Sequence, residues 1–143
     1  MTLAAGTWAP VNSQNTAIRR DVIPAYYFFR SGRFGDIYQG YLAQACAKAM
    51  GHTVRFGTPA VTHARNDHDL LADLRLELPD ILVLDGWLDW LTAFKPDASS
   101  YAGAYESLSH GLDAYAVRGE WNRFTVMARE MRQWLALIRK IGD

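Results

Sequence analysis

The chain has 143 residues, half of them hydrophobic, and its 15 lysines and arginines balance its 15 aspartates and glutamates. This length suits one domain or a piece of a larger one, and the apolar fraction excludes a disordered chain. A formal charge of zero gives no electrostatic reason to expect nucleic acid or an anionic membrane as partner, and no apolar run approaches the ~20 residues of a membrane span. The single Cys46 cannot make an internal disulfide, and no basic region followed by an apolar run opens the N-terminus. Both features fit a cytoplasmic location. The many aromatic residues suit a core or the lining of a sugar groove.

Residues 1–10 carry little pattern. Val11 to Arg20 follow, with the short polar side chains of Asn12, Ser13, Asn15 and Thr16, which favour turns. They read either as a turn entering a strand at about 16–19 or as a loop presenting amides to a polyhydroxyl ligand. Asp21 is placed to cap a short helix with Pro24 in its first turn, and Tyr26 to Phe29 read as core. Ser31 to Gly35 form a turn. The spacing of Ile37, Tyr41, Ala45 and Ala49 predicts a helix over about 36–50, closed by Gly51. Asp36 stands at its start, where the helix dipole favours negative charge, so it serves as a capping carboxylate unless it has a further role.

His52 to Phe56 alternate polar and apolar residues and predict a strand. Gly57-Thr58-Pro59 turn the chain, and Ala60 to His63 predict a second strand ending in histidine. Beyond it, Asp67 or Asp69 is expected to cap a helix over Leu70 to Leu78, which Pro79 is expected to break. Asp80 then caps a run read as a buried helix or as strand followed by helix, with Trp87, Trp90, Leu91 and Phe94 in the core. Lys95 to Ser100 are a linker. Tyr101, Tyr105, Leu108, Leu112 and Tyr115, and then Trp121, Phe124, Ala128, Met131, Leu135 and Ile138, step at helical spacing on either side of Gly119. They predict an antiparallel helical hairpin, with Arg123, Arg129, Glu130, Arg132, Arg139 and Lys140 on its outer face. Should both of its faces be apolar, the hairpin would join copies of the chain or a protein partner. The sum of these elements is an α/β architecture: a few short strands in part of a mixed sheet, a covering helix over 36–50 and a helix-rich region after residue 67. His63 and His68 lie five apart, but no carboxylate or thiol pattern completes a zinc site around them.

Three motifs within residues 11–66 occur in a telling order: NSQNTAIRRDVI, GRFGDIYQGYLAQACAKAMGH and VRFGTPAVTH. Together they resemble the acceptor-side half of glycosyltransferases with the nucleotide-diphospho-sugar transferase (type A) fold. The closer likeness is to reversibly glycosylated polypeptides, the UDP-arabinopyranose mutases, and a related group of glycosyltransferases. In that group the acidic segment reads Arg-Tyr-Asp-Asp-x-Trp-x-Gly, and this chain has Arg33-Phe34-Gly35-Asp36-Ile37-Tyr38-Gln39-Gly40. The resemblance implies residues 1–66 as the acceptor-side part of the domain, and the helical region 67–143, read from its periodicity, adds nothing to the match. It implies Asp36 as base or orienter for an acceptor hydroxyl, Arg33 as a phosphate or hydroxyl ligand, and Asn12 and Asn15 in the sugar pocket. It implies His63 as a ligand of a divalent metal (Mn or Mg) held with the diphosphate. A carboxylate suits this chemistry, since it can take the proton of the attacking hydroxyl as positive character develops at the sugar carbon.

Gly35 stands where the family has a first acid, leaving one carboxylate of the usual pair. The nucleotide-binding βαβ donor half that the family requires is not found in this sequence, and the motifs begin within the first dozen residues. The expectation is therefore a C-terminal piece of a longer enzyme, or a remnant that needs a partner to supply the donor half. A non-catalytic interaction module and a UDP-sugar mutase are the alternatives.

Overall fold

The computed structural model describes residues 1–4, 6–11, 13–30, 32–64, 67–96, 99–117 and 122–142. Among them lie four α-helices: α1 (Gly35–Ala49), α2 (Leu70–Ala93), α3 (Tyr101–Val117) and α4 (Asn122–Gly142). Two short 3-10 helices, Arg20–Ala25 and Gly32–Phe34, precede α1. No described helix is long and apolar enough to cross a membrane.

The α/β expectation is overturned. The described residues contain no sheet, only an isolated antiparallel bridge between Thr2 and Arg55. Leu3 N donates to Val54 O at 3.0 Å and Phe56 N to Met1 O at 2.7 Å around that bridge. The segments expected as strands at 16–19, 52–56 and 60–63 are not strands. The physical reason is lack of company: a strand is held by ladder partners and a buried face. Residues 60–64 are all exposed, with Val61 57% accessible.

The fold is organised around α1 instead. Tyr38, Leu42 and Cys46 are fully buried at successive turns of one face, in a core shared with Trp87 and Leu91 of α2, Tyr105, Leu108 and Leu112 of α3, and Phe124 and Met131 of α4. The small side chains Ala43, Ala45 and Cys46 let neighbours approach closely. Two glycines are required outright. A Cβ on Gly35 would lie 2.5 Å from the Phe29 carbonyl oxygen, and one on Gly40 would lie 2.4 Å from that of Val11. The N-terminal segment thus crosses α1 at Gly40 and is held there by Gln44, whose Nε2 donates to Ala9 O at 2.6 Å while its Oε1 accepts from Ala9 N at 3.3 Å. The helix closes at Met50, and Gly51 takes the left-handed conformation (φ 69°) that terminates it.

Three other local expectations are corrected. Asp21 does not cap a helix; it lies within the 3-10 helix that contains Pro24 and pairs with Arg19 at 2.7 Å. Pro79 does not break α2, which runs through it without interruption. Its missing donor releases the carbonyl of Arg75, and both residues are exposed, so water can serve that carbonyl. Asp80 caps nothing. It sits inside α2, buried, and accepts from the Tyr38 hydroxyl at 3.0 Å and from Arg123 of α4. Asp69 is the cap, accepting from Leu71 N at 3.1 Å and Ala72 N at 3.0 Å.

Helices α3 and α4 run antiparallel, as their ion pairs require: Arg132 meets Asp113 and Arg139 meets Glu106, each at 2.7 Å. Inner residues of both helices enter the core. Leu137 and Ile141 of α4 stay exposed, and the densest apolar exposure is on the first half of α2, where Leu70, Leu71, Leu74, Leu76, Leu78, Ile81 and Leu82 are all accessible to solvent.

Candidate functional site

Asp36 lies in the first turn of α1, half-buried, its Oδ1 accepting from Ile37 N at 2.9 Å. Phe34, rather than Asp36, occupies the N-cap position. One turn along the same face is Gln39, fully buried, whose amide nitrogen and oxygen have no hydrogen-bond partner. The Tyr26 hydroxyl is buried and unpartnered as well. The Gln39 side chain and the Asp36 charge both act on it, and Gln39 is the side chain placed to hydrogen-bond it. Burial raises the Tyr26 pKa, the neighbouring Gln39 amide opposes that rise, and the Asp36 charge adds to it. The phenol therefore stays protonated and available as a donor. Other buried atoms lack partners too: Trp87 Nε1 and the Tyr105 hydroxyl in the hydrophobic core, the latter within reach of the Glu130 charge, and one carboxylate oxygen each of Asp113 and Glu130. Tyr26 and Gln39 stand outside that core, at the start of α1 beside Asp36.

This arrangement offers a carboxylate acceptor, a phenolic donor and an amide that does both. A hydroxyl group, which donates one proton and accepts others, matches such a set. Buried polar groups are as a rule paired, so an unpaired amide beside an unpaired phenol is the pattern a polar ligand would complete.

The other residues named from the sequence are not gathered here. Arg33 is committed to α2: its guanidinium meets Asp73 at 3.0 Å and Glu77 at 3.1 Å. Asn15 is exposed in the turn near residues 13–15, and His63 is exposed in the extended segment before α2. Asn12 lies outside the described residues. No hydrogen bond or ion pair joins Asp36, Arg33, Asn15 and His63 to one another among the described residues. Nor do three or more His, Cys, Asp or Glu side chains converge there as a metal would require. An Asp-x-Asp spacing does occur, at Asp67-His68-Asp69, but it is committed to the start of α2. Asp69 caps the helix, and His68 Nδ1 lies 3.2 Å from Asp73.

At the far end of α1 is a cavity of about 410 Å³, lined by Trp8, Lys48, His52, Leu91 and Phe94 among others. The Lys48 ammonium sits 3.2 Å above the Trp8 ring. Burial, followed by the charge of Lys95, lowers the Lys48 pKa. None of the residues proposed from the sequence lines this cavity.

Sequence reading assigned Tyr26 to the core and passed over Gln39. The signal for Gln39 was present: a polar residue three positions after Asp36, in a helix otherwise built from small and apolar side chains on that face. Neither a known family model nor a curated protein matches the chain.

Proposed function

We propose that this chain supplies the acceptor-binding and base-bearing portion of a glycosyltransferase that moves a sugar from a nucleotide-sugar to a hydroxyl acceptor. One observation carries the reading: the Asp36 carboxylate stands beside two buried, unpartnered groups that suit a hydroxyl, Tyr26 and Gln39. The ordered motifs of residues 11–66, which resemble the acceptor side of such enzymes, support it. In this reading Asp36 accepts the proton of the attacking hydroxyl, while Tyr26 and Gln39 orient the acceptor. The reading does not rest on a sheet, and no step is assigned to a metal. Donor binding falls to a nucleotide-binding half outside this sequence, in a longer form of the chain or in a partner.

The test begins with the chain itself. Amide NMR spectra are recorded during titration with a panel of neutral mono- and disaccharides. Saturable shifts at Tyr26, Asp36 and Gln39, lost in Asp36→Asn, are expected. Absence of shifts up to the solubility limit of every sugar would sink the proposal. In a complete enzyme, Asp36→Asn should abolish transfer. A UDP-sugar whose ring form interconverts without any acceptor would point to a mutase instead.

A non-catalytic interaction module is the second reading, favoured by the exposed leucines of α2. It predicts no saccharide shifts at all.

A further inference from the structure

The first half of α2 carries an apolar surface that the fold leaves uncovered. Leu70 (75% accessible), Leu71 (68%), Leu74 (48%), Leu78 (43%), Ile81 (42%) and Leu82 (74%) are all exposed. At 3.6 residues per turn they fall within an arc of about 120° along about 20 Å of helix. The face that meets the protein lies about 110° round the helix from the stripe's centre, through Asp73 and Glu77 against Arg33 and through buried Asp80, and Leu76 on the far side is exposed as well (62%). Scattered surface leucines are ordinary, but six in one stripe are not.

We propose that this stripe pairs with the same helix of a second copy of the chain, antiparallel, as a short two-stranded coil. Leu71, Leu74, Leu78 and Ile81 step by three, four and three, which is the seam spacing of paired helices. The seam is self-complementary. With the two-fold axis crossing the seam at the level of Leu76, whose own side chain is on the far side of the helix, Leu71 of one copy lies level with Ile81 of the other, and Leu74 with Leu78. Every layer is thus apolar, as a closed isologous interface demands. Antiparallel pairing is favoured over parallel for two reasons. The seam position after Ile81 is Asp85, which a parallel pair would set against its own copy, whereas the antiparallel register carries it past the end of the seam. The second half of α2 is also sunk in the core through Trp87 and Leu91, so a parallel pair would press the two folded bodies together.

The stripe offers on the order of 600 Å² of apolar side chain per copy, approaching the ~800 Å² per partner of a standard interface. This places self-association on α2 rather than on the α3–α4 hairpin, whose inner residues are already spent in the core.

The full chain is examined by analytical ultracentrifugation across a concentration series. The expected result is a reversible shift from the 16.1 kDa monomer to twice that mass. The double substitution Leu74→Glu with Leu78→Glu should hold the chain monomeric at every concentration with unchanged helical circular dichroism, since both side chains are exposed. A second measurement fixes the register. The variants Leu74→Cys and Leu78→Cys, oxidised singly and as an equimolar mixture, should give a disulfide-linked dimer mainly in the mixture. The native Cys46 is buried and does not compete. A wild-type chain that stays monomeric at all concentrations would overturn the proposal, whatever other protein it captures. So would cross-linking of each variant with itself as readily as in the mixture.

Discussion

The Tyr38 hydroxyl donates to the Asp80 carboxylate at 3.0 Å, and Arg123 meets the same carboxylate oxygen from α4. One buried acid therefore ties α1, α2 and α4 together at a point where Tyr38, Trp87 and Phe124 also meet ring to ring. Asp80→Asn keeps the shape and removes the charge. It takes the Asp80 charge away from the partly buried Arg123, which should cost up to about 3 kcal/mol. Urea unfolding monitored by circular dichroism should show that loss. Asp80→Leu combined with Arg123→Met should recover a good part of it, because a packed apolar pair can replace a buried ion pair. No recovery would mean that Arg123 is needed for its other contacts.

The same burial makes the fold sensitive to alkali. Burial raises the pKa of Tyr38, with the Asp80 charge adding to it, and it also raises those of Tyr105 and Cys46. In the unfolded chain these groups ionise near pH ~10 for tyrosine and ~8.5 for cysteine. The folded state holds them neutral. Their stabilising effect is complete below the unfolded values and is lost as pH rises toward the folded ones. Above pH ~10, each group that ionises only on unfolding removes about 1.4 kcal/mol per pH unit. Tyrosinate absorbance should therefore rise cooperatively with loss of helix, rather than gradually ahead of it.

Two glycines make a matched pair. Gly86, exposed in α2, has open space where a Cβ would go. Gly86→Ala should stabilise by about 1 kcal/mol through helix propensity alone. Gly40→Ala gains the same propensity, but its Cβ meets the Val11 carbonyl, which is backbone and cannot rotate away. Overpacking of this kind costs about 1–3 kcal/mol, so the net change should be zero or a loss. Lifting the crossing segment would also disturb Trp8, whose indole donates to Thr92 at 2.8 Å. Thermal unfolding and tryptophan fluorescence of the two variants give the comparison.

What could be read from the sequence was what local chemistry decides. Helix α1 and its closing Gly51, an aspartate cap at 67 or 69 and the paired stripes of α3 and α4 each follow from 3.6-residue periodicity or from a terminal residue with a specific backbone duty. The segments taken as strands failed because five alternating residues, His52 to Phe56, state only that a strand would be amphipathic there. Whether a ladder partner exists is decided elsewhere in the chain. Pro79 misled for the opposite reason. Its local cost is real, but the burial of Asp80, Trp87 and Leu91 beyond it and the ion pairs of Asp73 and Glu77 before it hold the helix straight through. The site was half legible. Asp36 could be singled out from the order of motifs, whereas its neighbours Tyr26 and Gln39 come together only through the 3-10 turn that brings Tyr26 back over α1.

Gln39 gives a test in which stability and binding move in opposite directions. A buried amide with no partner costs about 1–3 kcal/mol in desolvation that the fold does not recover. Gln39→Leu removes that cost at nearly constant volume and should raise stability by about 1 kcal/mol in urea titration. The same change deletes the group placed to orient a hydroxyl, so the saccharide-induced shifts at Tyr26 and Asp36 should vanish. Asp36→Asn should also end binding, yet leave stability nearly unchanged, because its amide oxygen can still accept from Ile37 N. A destabilised Gln39→Leu would mean that the amide has a partner within the protein in solution, and the opening for a ligand would then be filled by the chain itself.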